Sequence, residues 1–199
     1  MVPIYALIDK ESLKRYSLTL RDVINYLNSN SIAIVQYRNK SPKDKRELIK
    51  DITIIKELFD GDIIVNDYIN LVKFVDGLHI GQEDLGRIAP RPEDALEVVR
   101  EKIGNKILGL STHNIKEIEI ANSLNINYIG LGAYRETKTK RDAQKSGRVI
   151  LEYAKSSVHP VAIIGGVRLS DTFPSQIAMR VIGSDILRAI KKLNRITST

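Results

Sequence analysis

Short runs of Ile, Val and Leu recur along the whole chain, and stretches with apolar residues at every third or fourth position lie between them. The runs are Ile4 to Ile8, Ile32 to Gln36, Asp62 to Val65, Gly77 to Ile80, Lys106 to Leu110, Tyr128 to Leu131, Val161 to Ile164 and Arg180 to Ile182. Nearly continuous apolar runs of this length read as strands buried on both faces, the mark of a parallel sheet covered by helices. Helical spacing stands out in Leu20, Val23, Ile24 and Leu27, in Leu48, Ile49, Ile52 and Ile55, and in Ile115, Ile118, Ala121 and Leu124. Eight such alternations predict an α/β fold, a single (β/α)8 barrel of the TIM type over residues 1–199. An open doubly wound sheet is the runner-up, but no strand-Gly-x-Gly-x-x-Gly-helix fingerprint supports it.

Local signals refine the segmentation. Ser41 followed by Pro42 predicts an N-cap and first-turn proline, and Asn114 with Glu117 three residues on resembles a capping box. Two connections are longer than a barrel of this size needs. Gly81 to Pro92 precedes a helix near Glu93 to Lys102, and Gly132 to Gly147 carries Arg135, Lys138, Lys140, Arg141 and Lys145. Both are candidate lids, with plain solvated loops as the alternative.

Composition narrows the chemistry. At 199 residues with 43% hydrophobic and 28% charged positions, the chain has enough apolar surface for one sizeable core. No apolar run approaches the ~20 residues that a bilayer span needs, so no membrane partner is expected. The absence of cysteine excludes disulfides, thiolate catalysis and sulfur-ligated zinc, and fits a cytoplasmic setting. A net charge of +7 favours anionic partners, leaving nucleic acid, acidic lipid and phosphorylated small molecules open.

In a (β/α)8 barrel, the carboxyl ends of the strands and the loops beyond them form the site. Gln36, Arg38 and Lys40 alternate along one extended segment and so share a side, opposite Tyr37 and Asn39. An Arg fork and a Lys point charge together suit a phosphate or diphosphate. Asn66-Asp67 and Gly81-Gln82-Glu83-Asp84 place carboxylates at two neighbouring strand ends. Asp67 and Asp84 could share one magnesium ion, act as a general acid and base, or cap helices. Ser111-Thr112-His113 lacks an orienting acid, so a catalytic triad is rejected and Ser111 is read as a hydrogen-bonding group at the mouth. His79 is read as a packed or hydrogen-bonded histidine, and His159 as a loop residue. Thr137, Thr139 and Lys140 offer hydroxyls and a cation to an anion. Ile164-Gly165-Gly166-Val167 and Gly183-Ser184-Asp185 place bare backbone and a helix start after strands seven and eight, a common phosphate site in barrels.

Together these segments resemble the thiamine phosphate synthase family in order and spacing. The resemblance runs through Gln36-Tyr37-Arg38-Asn39-Lys40, Asn66-Asp67, Asp76 to Asp84, Gly109 to His113, Thr137 to Lys140 and Ile164 to Val167. It implies a transferase that condenses hydroxymethylpyrimidine diphosphate with hydroxyethylthiazole phosphate through dissociative, Mg2+-assisted loss of diphosphate. By that similarity, Gln36, Arg38, Lys40, Asn66 and Lys140 bind the pyrimidine diphosphate, Asp67 and Asp84 bind Mg2+, and Ser111 lies at the pyrimidine and diphosphate. Thr137, Thr139, Gly166 and the amides near Gly183 and Ser184 bind the thiazole phosphate. The chain departs from the family in having Ala133 and Arg135-Glu136 where prolines usually stand, and in a longer stretch between Asp84 and Ser111.

The competing readings are a thiazole tautomerase-like isomerase on the same barrel, a basic nucleic-acid-binding module and a catalytically inactive partner protein. The isomerase has no need of the Gln36, Arg38, Lys40, Asp67 and Asp84 set. Only 6% of residues are aromatic and no RNA-binding motif is present, so nucleic acid is not an expected partner.

Overall fold

The structure, a computed structural model, describes residues 2–135 and 147–197. Eight parallel strands close into a barrel in sequence order, each hydrogen-bonded to the next and β8 returning to β1. They are β1 (Ile4–Asp9), β2 (Ile34–Arg38), β3 (Asp62–Asn66), β4 (Gly77–Ile80), β5 (Ile107–Thr112), β6 (Tyr128–Leu131), β7 (Val161–Ile163) and β8 (Ile177–Ile182). The predicted fold class is correct. The helices are α1 (Lys10–Tyr16), α2 (Leu20–Ser29), α3 (Lys45–Leu58), α4 (Gln82–Ile88), α5 (Pro92–Ile103), α6 (Ile115–Asn122), α7 (Gly147–Ala154) and α8 (Ser184–Thr197).

The period-two alternation of each strand divides the core in two. Outward residues such as Ile8, Val35, Val65, Leu78 and Leu110 pack with the helices in one large cluster. Inward residues Tyr5, Ile64, Tyr128, Ala162 and Val181 form a second, smaller cluster inside the barrel. Because both faces are buried, both must be apolar, which is why the strands read as unbroken apolar runs. Toward the carboxyl ends the inward positions turn polar: Asp9, Gln36, Arg38, Asn66, His79 and Ser111 all border one cavity.

Several boundaries differ from expectation. β2 begins two residues later than predicted, so Arg38 is its last residue rather than a loop residue. Ser41 is not a cap. The Asn39 side chain accepts from the Ser41 amide at 3.2 Å, turning the chain early, and Asp44 caps α3 by accepting from the Glu47 amide at 2.9 Å. Asn114 does cap α6, accepting from the Glu117 amide at 3.0 Å. Gly81 to Pro92 is not a lid loop: α4 occupies most of it, so two helices connect β4 to β5 and account for the lengthened stretch before Ser111. Between β3 and β4 there is only a 3-10 helix (Ile69–Phe74). β8 starts earlier than its apolar run because Arg180, buried within it, satisfies its guanidinium on the carbonyls of Val2, Leu169 and Asp171.

Candidate active site

A cavity of about 400 Å³ opens at the carboxyl end of the barrel. Gln36, Arg38, Lys40, Asn66, Asp67, Asp84, Ser111, Gly183 and Ser184 all border it. Tyr37 and Asn39 are buried on the other side of the strand, as the alternation requires. Arg38 is held by Asp9 of β1 at 2.7 Å, while Asp9 also caps α1 by accepting from the Ser12 amide at 3.0 Å. Sequence reasoning missed Asp9. Its signal was available, because it is the inward residue of β1 beside Arg38 in the strand register.

Asp67 follows β3 in a left-handed conformation, φ +64°, which Asp tolerates better than most residues. Its amide donates to the His79 carbonyl at 2.9 Å, and the Asn66 side-chain amide donates to its carboxylate. Burial raises the Asp67 carboxyl above its ordinary pKa, and the neighbouring Asp84 charge raises it further. Lys40, the Gly81 N–H and Arg38 pull it partly back. Asp84 stands in the first turn of α4 and pairs with Arg87 at 2.7 Å. Two carboxylates thus repel each other across a half-buried space, a surplus of negative charge that a divalent cation relieves. Among the described residues no group of three or more His, Cys, Asp or Glu is arranged to hold a metal. Two carboxylates alone could hold only an ion that keeps water and substrate oxygens in the rest of its shell, as Mg2+ does.

Ser111 does pair with a histidine, though not the adjacent one. His79 Nε2 lies 2.9 Å from Ser111 Oγ, and His79 Nδ1 lies 3.0 Å from the Tyr128 hydroxyl. Burial pushes His79 down to about 4, so the ring is neutral at pH 7. Both ring nitrogens are engaged by hydroxyls, those of Tyr128 and Ser111. His113 is engaged with Glu117 at 2.9 Å. Gln82 donates to the Ser111 carbonyl at 2.7 Å and so ties the start of α4 to the end of β5.

On the far side of the mouth the site is built from backbone. Gly165 and Gly166 have φ of +93° and +70°, conformations that favour glycine. Gly165 borders the cavity; Gly166 is directed toward Arg135, which donates to its carbonyl at 2.7 Å and pairs with Asp171 at 2.6 Å. Arg135, one of the departures from the family pattern, thus clamps the chain after β6 to the chain after β7. Gly183 and Ser184 open α8 at the cavity edge. Thr137, Thr139 and Lys140 lie outside the described residues.

A closed parallel barrel with charged side chains and bare backbone gathered at its carboxyl mouth defines a (β/α)8 enzyme. Residues 4–183 match the family described as thiamine monophosphate synthase, and the chain belongs to that family. It is 35% identical over 171 residues to a thiamine-phosphate synthase of Persephonella marina, covering 82% of this chain and 76% of that one. Over 168 residues it is 35% identical to a thiamine-phosphate synthase of Dictyoglomus thermophilum, covering 79% and 71%. Among solved structures, a thiamine phosphate pyrophosphorylase from Pyrococcus furiosus superposes with a TM-score of 0.71 at 21% identity, covering 99% of this chain and 96% of that one. That likeness speaks for the fold.

Proposed function

We propose that this enzyme joins hydroxymethylpyrimidine diphosphate to hydroxyethylthiazole phosphate, forming thiamine phosphate and releasing diphosphate. The observation that carries this reading is the convergence of Arg38, Lys40, Asp67 and Asp84 on one cavity with Gln36, Asn66 and Ser111. An isomerase acting on thiazole phosphate alone would have no use for two cations facing two acids.

The bond between the pyrimidine methylene carbon and the diphosphate oxygen breaks first, its electron pair leaving with the diphosphate. The thiazole nitrogen then gives its lone pair to the methylene cation. Arg38 and Lys40, with Lys140, stabilise the charge growing on the leaving group, a preorganised electrostatic role that needs no protein nucleophile. Gln36 and Asn66 hold the pyrimidine diphosphate, and Ser111 hydrogen-bonds it. Gly183 and Ser184 offer amides to the thiazole phosphate at the cavity edge, and by the family resemblance Thr137, Thr139 and Gly166 bind it too. Asp67 and Asp84 would hold Mg2+, which when bound would neutralise charge on the diphosphate. The partners are thus small phosphorylated molecules. No described helix is long and apolar enough to cross a membrane, and the cysteine-free composition suits the cytoplasm.

The test is diphosphate release by the purified protein with Mg2+, omitting each substrate in turn. Release that requires both substrates is expected. Turnover of thiazole phosphate alone without metal would turn the reading to an isomerase, and salt-sensitive RNA retention without turnover to a binding module.

A further inference from the structure

Five polar side chains cross the barrel interior in single file. Gln36 Nε2 donates to the Tyr5 hydroxyl at 2.9 Å, and the hydroxyls of Tyr5 and Tyr128 meet at 2.8 Å. Tyr128 then reaches His79 Nδ1, and His79 Nε2 reaches Ser111 Oγ. Gln36 and Ser111 at the two ends border the cavity, as does His79; the two tyrosines do not. The barrel makes room for this file. A Cβ on Gly109 would stand 2.1 Å from Tyr128 Cζ, and one on Gly130 would stand 2.8 Å from His79 Cε1.

The donors and acceptors can be counted along the file. The Tyr5 oxygen accepts from Gln36, and its fully buried hydroxyl meets no acceptor other than the Tyr128 oxygen among the described residues, so its one hydrogen goes to Tyr128. The Tyr128 oxygen accepts it, so its own hydrogen goes to His79 Nδ1. A neutral imidazole that accepts at Nδ1 carries its hydrogen on Nε2 and donates it to Ser111 Oγ. The Ser111 hydroxyl hydrogen is then left over, with no acceptor among the described residues and the cavity beside it.

We infer that this one-way file makes Ser111 a hydrogen-bond donor to the substrate, with Tyr5, Tyr128 and His79 as positioning residues that fix the direction from behind. The inference rests on the proposed function and deepens it: the substrate must present an acceptor at Ser111, either a ring nitrogen of the pyrimidine or an oxygen of its diphosphate. It also explains why the Ser111–His79 contact does not generate a nucleophile, since the imidazole nitrogen nearest the serine already holds a hydrogen.

The direct test is the tautomer of His79 in the 15N-labelled, full-length protein, read near pH 7 from two-bond 1H–15N correlations. With only three histidines, the His79 signals are identified by elimination using His113→Gln and His159→Gln. The Nε2–H tautomer is expected; the Nδ1–H tautomer would reverse the file and overturn the inference. Tyr128→Phe removes the hydrogen that reaches Nδ1. A mixed tautomer population is expected, with kcat down about tenfold and KM for either substrate changed less than about threefold. An unchanged tautomer and unchanged kcat would overturn the positioning role. Should Tyr128→Phe fail to fold, Tyr5→Phe interrupts the file one step earlier with the same two readouts, and the wild-type tautomer decides the direction without any variant. Calorimetry with inorganic diphosphate and Mg2+ separates the two acceptors. Weaker binding by Ser111→Ala places the acceptor on the diphosphate, and equal binding places it on the ring. The tautomer is read without turnover, so failure of the file and failure of the proposed reaction are distinct results.

Discussion

The two sides of the barrel mouth are made from different halves of the amino acid. Beyond β2, β3 and β4, the side chains of Arg38, Lys40, Asp67 and Asp84 border the cavity: Arg38 ends β2 with Lys40 at the bend after it, Asp67 sits on a left-handed residue after β3, and Asp84 stands in the first turn of α4. After β7 and β8, the cavity is bordered by Gly165, Gly183 and Ser184, where backbone is exposed and side chains are small. The first side depends on which residue stands at each position. The second depends on how the chain bends, and tolerates changes that leave the bend intact.

The largest expected effect tests the first side. Replacing Asp67 or Arg38 with Ala should slow diphosphate release on the order of a hundred- to a thousand-fold with the circular dichroism spectrum unchanged. Ser184→Ala on the second side should change the rate by less than about threefold, because the amide remains. Wild-type rates in the Asp67 or Arg38 variant would erase the contrast. Beneath both sides, buried His79 titrates near 4 when folded and near 6.5 when unfolded. Between these values unfolding takes up a proton, so stability is full above pH 6.5 and falls as the pH drops toward 4. The contribution is about 3 kcal/mol, read from denaturant midpoints and proton uptake on unfolding. Gly165→Ala should cost about 1–3 kcal/mol, since φ is +93° and the new Cβ would stand 2.7 Å from Ala133 Cα. It should also raise KM for the thiazole phosphate more than KM for the pyrimidine diphosphate; equal changes would mean that this turn does not serve one substrate. The smallest effect is at Gly86 inside α4, where a Cβ meets nothing within 4 Å. Gly86→Ala should add about 0.5–1 kcal/mol of stability without altering turnover.

The same division explains what could be read in the sequence. Strands buried on both faces announce themselves as apolar runs, and the alternation of Gln36, Arg38 and Lys40 predicts a shared side because strand geometry has a period of two. Position along the carboxyl end then brings Asp67 and Asp84 to the same mouth. Other features needed three dimensions. The Asp9–Arg38 pair joins residues on different strands, and the file from Gln36 to Ser111 joins five. The His79–Ser111 contact was hidden because His113, two residues from Ser111, looked like the nearer partner. α4 was hidden because it is only seven residues long and carries Gly86 in its interior, a weak helix propensity that the packing of buried Leu85 overrides.

The left-handed backbone at Asp67 bears on how this site can evolve. Gly, Asn and Asp adopt that conformation most readily, so a lineage relieved of its need for a carboxylate has few favoured neighbours in sequence space at this position. Drift should leave Asn or Gly there well before any bulky or β-branched residue, and such a substitution in an otherwise intact barrel would mark a descendant that has changed its chemistry while keeping its shape.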